Sequence, residues 1–326
     1  MKKKTILVTG GAGYIGSHAN HMLHLAGYQT IVLDNLSSGN RKAVSEGTFI
    51  QGDINDKILL NKIFSENSID AVMHFAAFID VGESIKNPLK YYQNNVAASL
   101  NLFQIMLQHG VNKIVFSSTA AVIGNPIQNL IDETHACVPI NPYGHSKLMV
   151  ETILQDLAVA YDLHFCILRY FNAAGGDPEG KRKNYSDHQS NLIPRILNNL
   201  KQGNATITIF GTDYPTPDGT CIRDYIHIDD LGRAHILAME HLWKGKSSLY
   251  HLGTGSGYSV RDVIAIAEKV TGKKIHAIEG DRRPGDPPIL VANSAKAQRE
   301  LNWEPRYSSL ENMIADAWKA QENYEL

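Results

Sequence analysis

The chain has few cysteines and almost no excess charge. Only three of its 326 residues are cysteine, namely Cys137, Cys166 and Cys221, and no two form a CxxC pair. An odd, widely spaced set of thiols suits a reducing compartment better than a disulfide framework or a structural zinc site. The 31 basic and 33 acidic side chains leave a formal net charge of −2. This balance predicts no general attraction to nucleic acid or to an anionic membrane.

Long apolar runs are also missing. The basic opening, Met1 to Lys4, is similar to the start of a secretion signal, but the apolar stretch after it is short and leads directly into TGGAGYIG. No later run reaches the length that a bilayer span requires. We therefore expect a soluble cytoplasmic protein with neither a membrane nor a nucleic-acid partner.

Apolar β-branched segments alternate with helical patterns through the first half of the chain. The strand candidates are TILVTG, TIVLDN, TFIQGD, AVMHFAA, KIVFSS and FCILRYFN. Stretches with helical spacing, such as VAASLNLFQIMLQHG, lie between most of them. Continuously apolar strands separated by helices predict an α/β fold with a Rossmann-type, doubly wound parallel sheet.

The regular alternation of strand and helix patterns ends after about Asn172. The stretch AAGGDPEGKRKNYSDHQS is polar and contains glycine, which predicts a loop or an insertion. Later segments include NLIPRILNNLKQG, ATITIF, RDYIHIDDLGRAHILAMEHL and SVRDVIAIAEKVTG. We predict one domain over residues 1–175 and a smaller mixed α/β domain over residues 176–326. Some segments are expected to cross between the two lobes, with the active cleft between them.

A glycine-rich turn carries the first sign of chemistry. Gly10, Gly13 and Gly16 follow the first predicted strand and open a helix. Glycines in this position let the backbone approach a pyrophosphate, and the helix N-terminus supplies donors and a positive dipole. Asp34 ends the second strand, where a carboxylate can bind the adenosine ribose and would repel a 2′-phosphate, so the pattern favours NAD over NADP. The alternative is a plain glycine turn with an ordinary capping aspartate.

The segment NPYGHSKLMVE places Tyr143 one helical turn before Lys147. The two side chains share a helix face, so the ammonium can lie near the phenolic oxygen or share a cofactor hydroxyl with it. One cation at ~4 Å contributes ~4 kcal/mol at an effective dielectric of ~20, about what a phenolate needs near neutral pH. Alternatively, the two residues are an ordinary pair on the exposed face of a helix and have no catalytic role. The hydroxyl cluster Ser117, Ser118 and Thr119 at the end of a predicted strand favours the catalytic interpretation.

Three histidines, His18, His21 and His24, recur every third residue and suggest a metal site at first sight. On a helix the third of them turns away from the first, and no cysteine or carboxylate completes a ligand set at the right spacing. We interpret them as surface or packing residues and predict no metal site.

Several motifs, taken together, point to a family. TGGAGYIGSH, LDNLSSG, HFAA, VGES, YYQNNV, FSSTAAV, NPYGHSKLMVE, LRYFNAAG, DGTCIRDYIH and RRPGD occur in order over nearly the whole chain. The sequence resembles the UDP-glucose 4-epimerases, which are extended short-chain dehydrogenases/reductases. The resemblance implies reversible inversion at C4 of UDP-galactose and UDP-glucose with tightly held NAD. The first predicted domain would then bind NAD and the second the UDP-sugar.

The resemblance also implies roles for individual residues. Tyr143 would take the proton of the sugar 4-hydroxyl, Lys147 would orient the nicotinamide ribose and keep Tyr143 ionised, and Thr119 would replace the serine that usually bonds the 4-oxygen. The expected NAD contacts are Gly10, Gly13, Tyr14, Ile15, Gly16, Asp34, Asn35, Asp53, Ile54, Phe75, Ala76, Ala77, Asn94, Ser117, Tyr143, Lys147 and Tyr170. The expected substrate contacts are Thr119, Tyr143, Asn172, Asn191, Leu192, Phe210, Arg223, Tyr225, Arg283, Asp286 and Leu290.

Two positions depart from the family pattern. Ile79 stands where many members have a lysine near the cofactor, so we expect weaker retention of NAD. Leu290 stands where some members have a bulky aromatic residue and others a small one, next to the sugar's 2-substituent. We therefore hypothesise that UDP-N-acetylglucosamine and UDP-N-acetylgalactosamine are also substrates.

The sequence leaves other functions open. A nucleotide-sugar 4,6-dehydratase or a UDP-glucuronate epimerase would share the Tyr143 and Lys147 pair, and a non-catalytic NAD-binding sensor would not need it. The helical segments VAASLNLFQIMLQHG and LMVETILQDLAVAYD match the family's usual dimer contacts. A homodimer is therefore expected, although burial within one chain explains their apolar residues almost as well.

Overall fold

Strands and helices alternate along the first half of the chain as predicted. The computed structural model describes residues 3–183, 191–283 and 285–322, so part of the predicted loop, residues 184–190, lies outside the described residues. The strands are β1 Thr5–Thr9, β2 Gln29–Asp34, β3 Thr48–Gln51, β4 Ala71–His74, β5 Lys113–Thr119, β6 Leu130–Ile131, β7 His164–Tyr170, β8 Asn172–Ala174, β9 Thr206–Phe210, β10 Ile222–His227, β11 Ser248–Leu252, β12 Gly257–Ser259, β13 His276–Gly280 and β14 Ile289–Ala292.

Helices cover most of the remaining chain. They are α1 Tyr14–Leu25, α2 Lys57–Glu66, α3 Val81–Lys86, α4 Pro88–Tyr91, α5 Ala98–Gln108, α6 Pro142–Tyr161, α7 Leu192–Lys201, α8 Ile228–Trp243, α9 Val260–Thr271, α10 Ala295–Leu301 and α11 Leu310–Glu322. Short 3₁₀ turns occupy Arg41–Ala43 and Ala120–Val122, and a π-helix, Tyr92–Ala97, joins α4 to α5. Among the described residues, no helix combines the length and the apolar character needed to cross a membrane.

Seven parallel strands form the sheet of the larger lobe, in the order β3-β2-β1-β4-β5-β7-β11. Both faces are covered, which explains why the strands are apolar throughout. Ile6 and Val8 of β1 pack towards α1 and α8, whereas Leu7 between them packs towards the layer of α2, α5 and α6. The predicted α/β fold with a Rossmann-type parallel sheet is confirmed.

Two segments after residue 175 belong to the larger lobe. Strand β11 extends its sheet beyond β7, and α8 packs on α1 to complete one covering layer. A β-carbon at Gly232 of α8 would lie 2.3 Å from the sulfur of Met22 in α1, so the glycine allows this close approach. Residues 176–326 therefore do not all lie outside the seven-stranded sheet and its covering layers. The boundary at residue 175 stays a prediction.

The smaller lobe contains mixed sheets. Strands β12, β10, β14 and β6 pair in that order, β8 adds to β10, and β9 pairs with β13. The apolar faces of α7, α9 and α11 meet in a separate core around Leu197, Val263 and Met313. Strand β6, from the first half of the chain, crosses into this lobe.

Candidate active site

A cavity of about 330 Å³ lies along the carboxyl ends of the central strands and extends to the smaller lobe. In open α/β sheets ligands bind at these ends, next to the strand where the order reverses, which is β1 in this sheet. Of the predicted site residues, the cavity is lined by Gly10, Gly13, Tyr14, Ile15, Gly16, Asp34, Asn35, Asp53, Ile54, Phe75, Ala76, Ala77, Asn94, Ser117, Thr119, Tyr143, Lys147, Tyr170, Asn172, Asn191, Arg223, Asp286 and Leu290.

Four predicted substrate residues, Leu192, Phe210, Tyr225 and Arg283, are not among those lining the cavity. Tyr225 is buried in the core of the smaller lobe, and Leu192 packs against that core. The guanidinium of Arg283 lies over the ring of Phe210, 3.9 Å from its centre. Their predicted contacts with the nucleotide stay predictions.

The glycine turn is shaped by contacts that leave no space for side chains. Gly10 has a φ of +71°, and a β-carbon there would lie 2.5 Å from the backbone nitrogen of Ala76. At Gly16 a β-carbon would lie 2.2 Å from the carbonyl oxygen of Gly10. Helix α1 begins directly after Gly13, so its free N–H groups lie at the cavity. This cradle fits the pyrophosphate of a dinucleotide.

Asp34 holds the turn after β2 as well as lining the cavity. Its Oδ2 accepts a 2.9 Å hydrogen bond from the backbone N–H of Ala12, and its Oδ1 accepts one of 2.8 Å from that of Leu36. Next to it, the amide of Asn35 donates a 2.7 Å hydrogen bond to the carboxylate of Asp53. The carboxylate that would meet the adenosine ribose is thus fixed by the glycine loop itself.

Asn95 is a structural residue that our sequence analysis missed. Its side chain accepts from the backbone N–H of Phe78 and donates to the carbonyl of Phe78 and to the hydroxyl of Ser146. It therefore joins the loop after β4 to helix α6, between Tyr143 and Lys147. The sequence signal for Asn95 is the doublet NN in YYQNNV, of which we predicted only Asn94 as a site residue. The extra residue of the π-helix, which sequence patterns do not reveal, turns Asn95 inward.

Helix α6 brings the reactive pair to the end of β5. Pro142 occupies its first turn, and the side chain of Asn141 caps it by accepting a 2.8 Å hydrogen bond from the N–H of Gly144. A β-carbon at Gly144 would lie 2.4 Å from the carbonyl oxygen of Ala121, so the glycine lets the helix approach the strand end closely. Tyr143 and Lys147 are consequently both buried.

The pKa values of Tyr143 and Lys147 differ from our expectation. Burial raises the pKa of Tyr143 to about 12, although a hydrogen bond with Thr119 acts in the opposite direction. Burial lowers the pKa of Lys147 to about 7, against the attraction of Glu151. The ammonium of Lys147 donates 2.8 Å to the carbonyl oxygen of Ser117 rather than to the phenol. The prediction that Lys147 lowers the pKa of Tyr143 is therefore not met by the protein groups alone.

One wall of the cavity comes from the smaller lobe. Asn172 donates a 2.9 Å hydrogen bond to the carbonyl of Asp224, which fixes its amide at the end of β7. Arg223 lies 3.3 Å from Asp286 and donates to the carbonyl of Pro287. Leu290 pairs with Arg223 across the strands β14 and β10. A guanidinium thus lies at the same wall as the leucine.

The three spaced histidines are separated by their surroundings. His18 is buried and lies 3.3 Å from Asp229, His21 lies 2.8 Å from Glu46, and His24 is exposed. In the described ranges no three metal-ligating side chains form a group that could hold an ion.

The family follows from the chain's sequence. Residues 6–253 match the sequence model of the NAD dependent epimerase/dehydratase family. The chain belongs to this family. An epimerase of the family, the UDP-glucose 4-epimerase of Halalkalibacterium halodurans, is 52% identical over 96% of this chain and 94% of its own length.

Solved structures of this epimerase group agree with the fold. The UDP-glucose 4-epimerase of Brucella ovis, crystallised in complex with NAD, has a TM-score of 0.93 and is 43% identical over 97% of both chains. The UDP-Glc/GlcNAc 4-epimerase of Campylobacter jejuni has a TM-score of 0.84 and is 40% identical over 98% of this chain and 99% of its own.

Proposed function

We infer that the protein is an NAD-dependent UDP-glucose 4-epimerase, an isomerase that interconverts UDP-galactose and UDP-glucose through a 4-keto intermediate. One observation carries this conclusion. Tyr143, Lys147 and Thr119 meet at the carboxyl end of β5, in the same cavity as the glycine cradle and Arg223. A proton-transfer group, a dinucleotide site and a diphosphate-binding cation thus share one space.

The residues around Tyr143 explain the acid and base chemistry. Bound NAD would supply hydride chemistry at C4, so that loss of a hydride from C4 and of the hydroxyl proton gives a ketone, which regains the hydride on its other face after turning in the site. Tyr143 accepts the proton of the 4-hydroxyl and later gives it back, which is general base and acid catalysis. Thr119, which lines the same cavity as Tyr143, bonds the same sugar oxygen, since a hydroxyl both donates and accepts. Because the protein groups alone raise the pKa of Tyr143, the phenolate that must form would need the positive nicotinamide of bound NAD as well as the ammonium form of Lys147.

The protein groups fit NAD better than NADP. Gly10, Gly13 and Gly16 line the cavity without side chains, so the backbone there can approach a pyrophosphate. Asp34 is buried, and its position after β2 suits the ribose hydroxyls but repels a 2′-phosphate. Asn35 and Asp53 continue this wall towards the adenine. We assign Phe75, Ala76 and Ala77, which follow β4, to the nicotinamide half.

The UDP half is assigned to the smaller lobe. Arg223 is the arginine among the described lining residues, and a guanidinium there pairs with a diphosphate in two-pronged geometry. Asn172, Asn191 and Asp286 line the same wall. We propose that Phe210 and Arg283, stacked on one another beside the cavity, complete the nucleotide site.

A second substrate pair is proposed from Leu290. This side chain lines the cavity, and an aliphatic residue there leaves more room than a tyrosine. We propose that UDP-N-acetylgalactosamine and UDP-N-acetylglucosamine are also interconverted. The similar protein from Campylobacter jejuni is named for both glucose and N-acetylglucosamine nucleotides, which supports this assignment.

The cavity gives less support to a 4,6-dehydratase. That reaction needs an acid and a base beside C5 and C6 of the sugar. The acidic residues among the described lining are Asp34, Asp53 and Asp286, of which the first two follow β2 and β3 and the third pairs with Arg223. The residues after Thr119 at the end of β5 are alanines.

We also propose a homodimer and a reducing, cytoplasmic location. Leu100, Met149 and Val159 are exposed on α5 and α6, the helices expected to pair with a second copy. The three cysteines are free thiols, which suits a reducing compartment.

The decisive experiment uses purified protein without added NAD. UDP-galactose and UDP-N-acetylgalactosamine are incubated with it separately, and NMR detects the C4 epimers. Formation of UDP-glucose supports the proposed function and a retained cofactor. Activity only after addition of NAD still supports the function but indicates weak retention. No product from either substrate with NAD present would contradict the proposal.

A further inference from the structure

Helix α6 presents three successive buried side chains to the sheet. Tyr143, Lys147 and Glu151 lie one turn apart, and all three are buried. Our proposed function uses the first two and gives no role to Glu151. A fully buried carboxylate is costly to maintain, so its contacts indicate what it does.

Glu151 joins α6 to two neighbouring strands. Its carboxylate accepts a hydrogen bond from the hydroxyl of Ser118 in β5. It also forms a two-pronged ion pair with Arg169 of β7, with Nε to Oε1 at 3.0 Å and Nη2 to Oε2 at 2.5 Å. Ser118 and Arg169 are paired across the two strands, so the carboxylate closes a triangle of helix and strands.

The contacts among Glu151, Ser118 and Arg169 adjoin the residues that bind or face Lys147 and Tyr143. Ser118 lies between Ser117, whose carbonyl accepts from Lys147, and Thr119, which lines the cavity together with Tyr143. A shift of Ser118 would therefore move the groups on both sides of it. Two successive turns of α6 are each bonded to one residue of the strand end, Lys147 to Ser117 and Glu151 to Ser118.

We propose that Glu151 is a positioning residue for the reaction: it fixes the strand end 117–119 against α6 and holds a negative charge one helical turn from Lys147. Catalysis depends steeply on such placement, since a displacement of about 1 Å can cost about a hundredfold in rate. The inference rests on the proposed epimerase function.

The charges that face Lys147 support this role. Burial lowers the pKa of the lysine, and the negative charge of Glu151 acts against that. Arg169, whose pKa the ion pair raises, stays charged and pairs with the glutamate. His74 is neutral, because burial and Lys147 lower its pKa to about 3. Other groups near Lys147 or its partners are Tyr143, Tyr170, Cys137, His251 and the ring of Phe116.

The test compares three NAD-loaded proteins: Glu151→Gln, Glu151→Asp and wild type. For each of them, kcat and KM for UDP-galactose are measured between pH 6.5 and 9. Losing the carboxylate charge lowers the pKa of Lys147, so the alkaline fall in kcat should begin at lower pH in Glu151→Gln. From a wild-type pKa of about 7, a drop of one unit makes this variant about threefold slower than wild type at pH 6.5 and about tenfold slower at pH 9. Glu151→Asp keeps the charge and should restore the wild-type profile.

Asp230 provides the matched control. It is a fully buried carboxylate that accepts from the backbone N–H groups of Arg306 and Tyr307, outside the cavity. Asp230→Asn should lower the melting temperature without moving the pH profile. If Glu151→Gln has the wild-type profile, or if Asp230→Asn moves it equally, a specific role for Glu151 is excluded.

A second variant keeps the proposal testable if Glu151→Gln does not fold. Ser118→Ala removes one hydroxyl, and we expect about a tenfold loss in kcat with KM nearly unchanged. Full activity of Ser118→Ala would overturn the positioning role. Inactivity of the wild-type protein itself would contradict the epimerase function, so the two failures are distinguishable.

Discussion

The ammonium of Lys147 lies 2.8 Å from the carbonyl oxygen of Ser117, at the strand end that also presents Thr119 to Tyr143. Helix α6 places the lysine one turn after the tyrosine, and the backbone of β5 fixes the position of its ammonium group. The lysine is thereby anchored to the backbone of β5 and fixed beside the cavity. Burial disfavours the charge of Lys147, and the nearby carboxylate of Glu151 acts against that effect.

Tyr143→Phe should abolish most of the activity. Removal of the phenolic proton acceptor is expected to lower kcat by about 10²–10⁴-fold, with little change in KM or melting temperature. Tyr91→Phe is the matched control, since the ring of Tyr91 is buried 6.5 Å from that of Tyr143 and its hydroxyl bonds to Glu83. Steady-state kinetics on UDP-galactose measure both variants. Equal losses in the two would show that Tyr143 has no special role.

Asp34→Ala should weaken both the fold and the cofactor site. The change leaves the N–H groups of Ala12 and Leu36 without their acceptor, at a cost of about 1–3 kcal/mol in the free energy of unfolding. Asp34→Asn keeps one acceptor oxygen and should lose less stability. Denaturant titration and the NAD content after purification are the two measurements. Wild-type stability together with full NAD content in Asp34→Ala would refute this account.

Ile79→Lys should increase the retention of NAD. Ile79 lines the cavity and is 39% exposed, so a lysine can reach the cofactor's phosphates or ribose without being buried. Ile79→Met has similar length without charge and serves as the control. The fraction of protein that keeps NAD after gel filtration reports the effect. No difference between the lysine and methionine variants would mean that the missing cation does not limit retention.

Leu290→Tyr should narrow the substrate range. A ring at this wall of the cavity takes the space proposed for the N-acetyl group, so turnover of UDP-N-acetylgalactosamine should fall relative to UDP-galactose. Leu290→Ala should change the ratio in the opposite direction. The ratio of kcat/KM for the two substrates is the measurement. An unchanged ratio in both variants would remove Leu290 from the specificity argument.

Acid should destabilise the protein through buried histidines. Burial lowers the pKa of His74 to about 3 and the pKa values of His235 and His251 to about 4. Above the unfolded pKa of about 6.5 these rings are neutral in both states. As the pH falls from about 6.5 towards 4, only the unfolded chain gains protons, and each ring costs about 1.4 kcal/mol of stability per pH unit.

Denaturant unfolding at pH 7.5, 6.0 and 5.0 measures this acid effect. His24→Gln is the control and should leave the pH dependence as in wild type, because His24 is exposed. His235→Leu should reduce the slope, since it removes one of the buried rings with a lowered pKa. Constant stability from pH 7.5 to 5.0 would disprove the assignment.

The first half of the fold was predictable because its signals are local. Continuous apolar runs such as TILVTG record burial on both faces of a parallel sheet, and all six strand candidates there are strands in the structure. The later half was less predictable. Helix α8 and strand β11 join the larger lobe because the sheet there still has an open edge and an uncovered face, which no local pattern shows.

The sequence by itself determined the sheet, the glycine turn and the spacing of Tyr143 and Lys147, because each depends on residues close together in the chain. The tertiary structure decided the rest. It turned Asn95 inward through a π-helix, directed Lys147 to a backbone carbonyl, and paired Glu151 with Arg169. These contacts join segments up to 51 residues apart in the case of Asn95 and Ser146. Their geometry is set by how helices pack on the sheet, and no pattern along the chain records it.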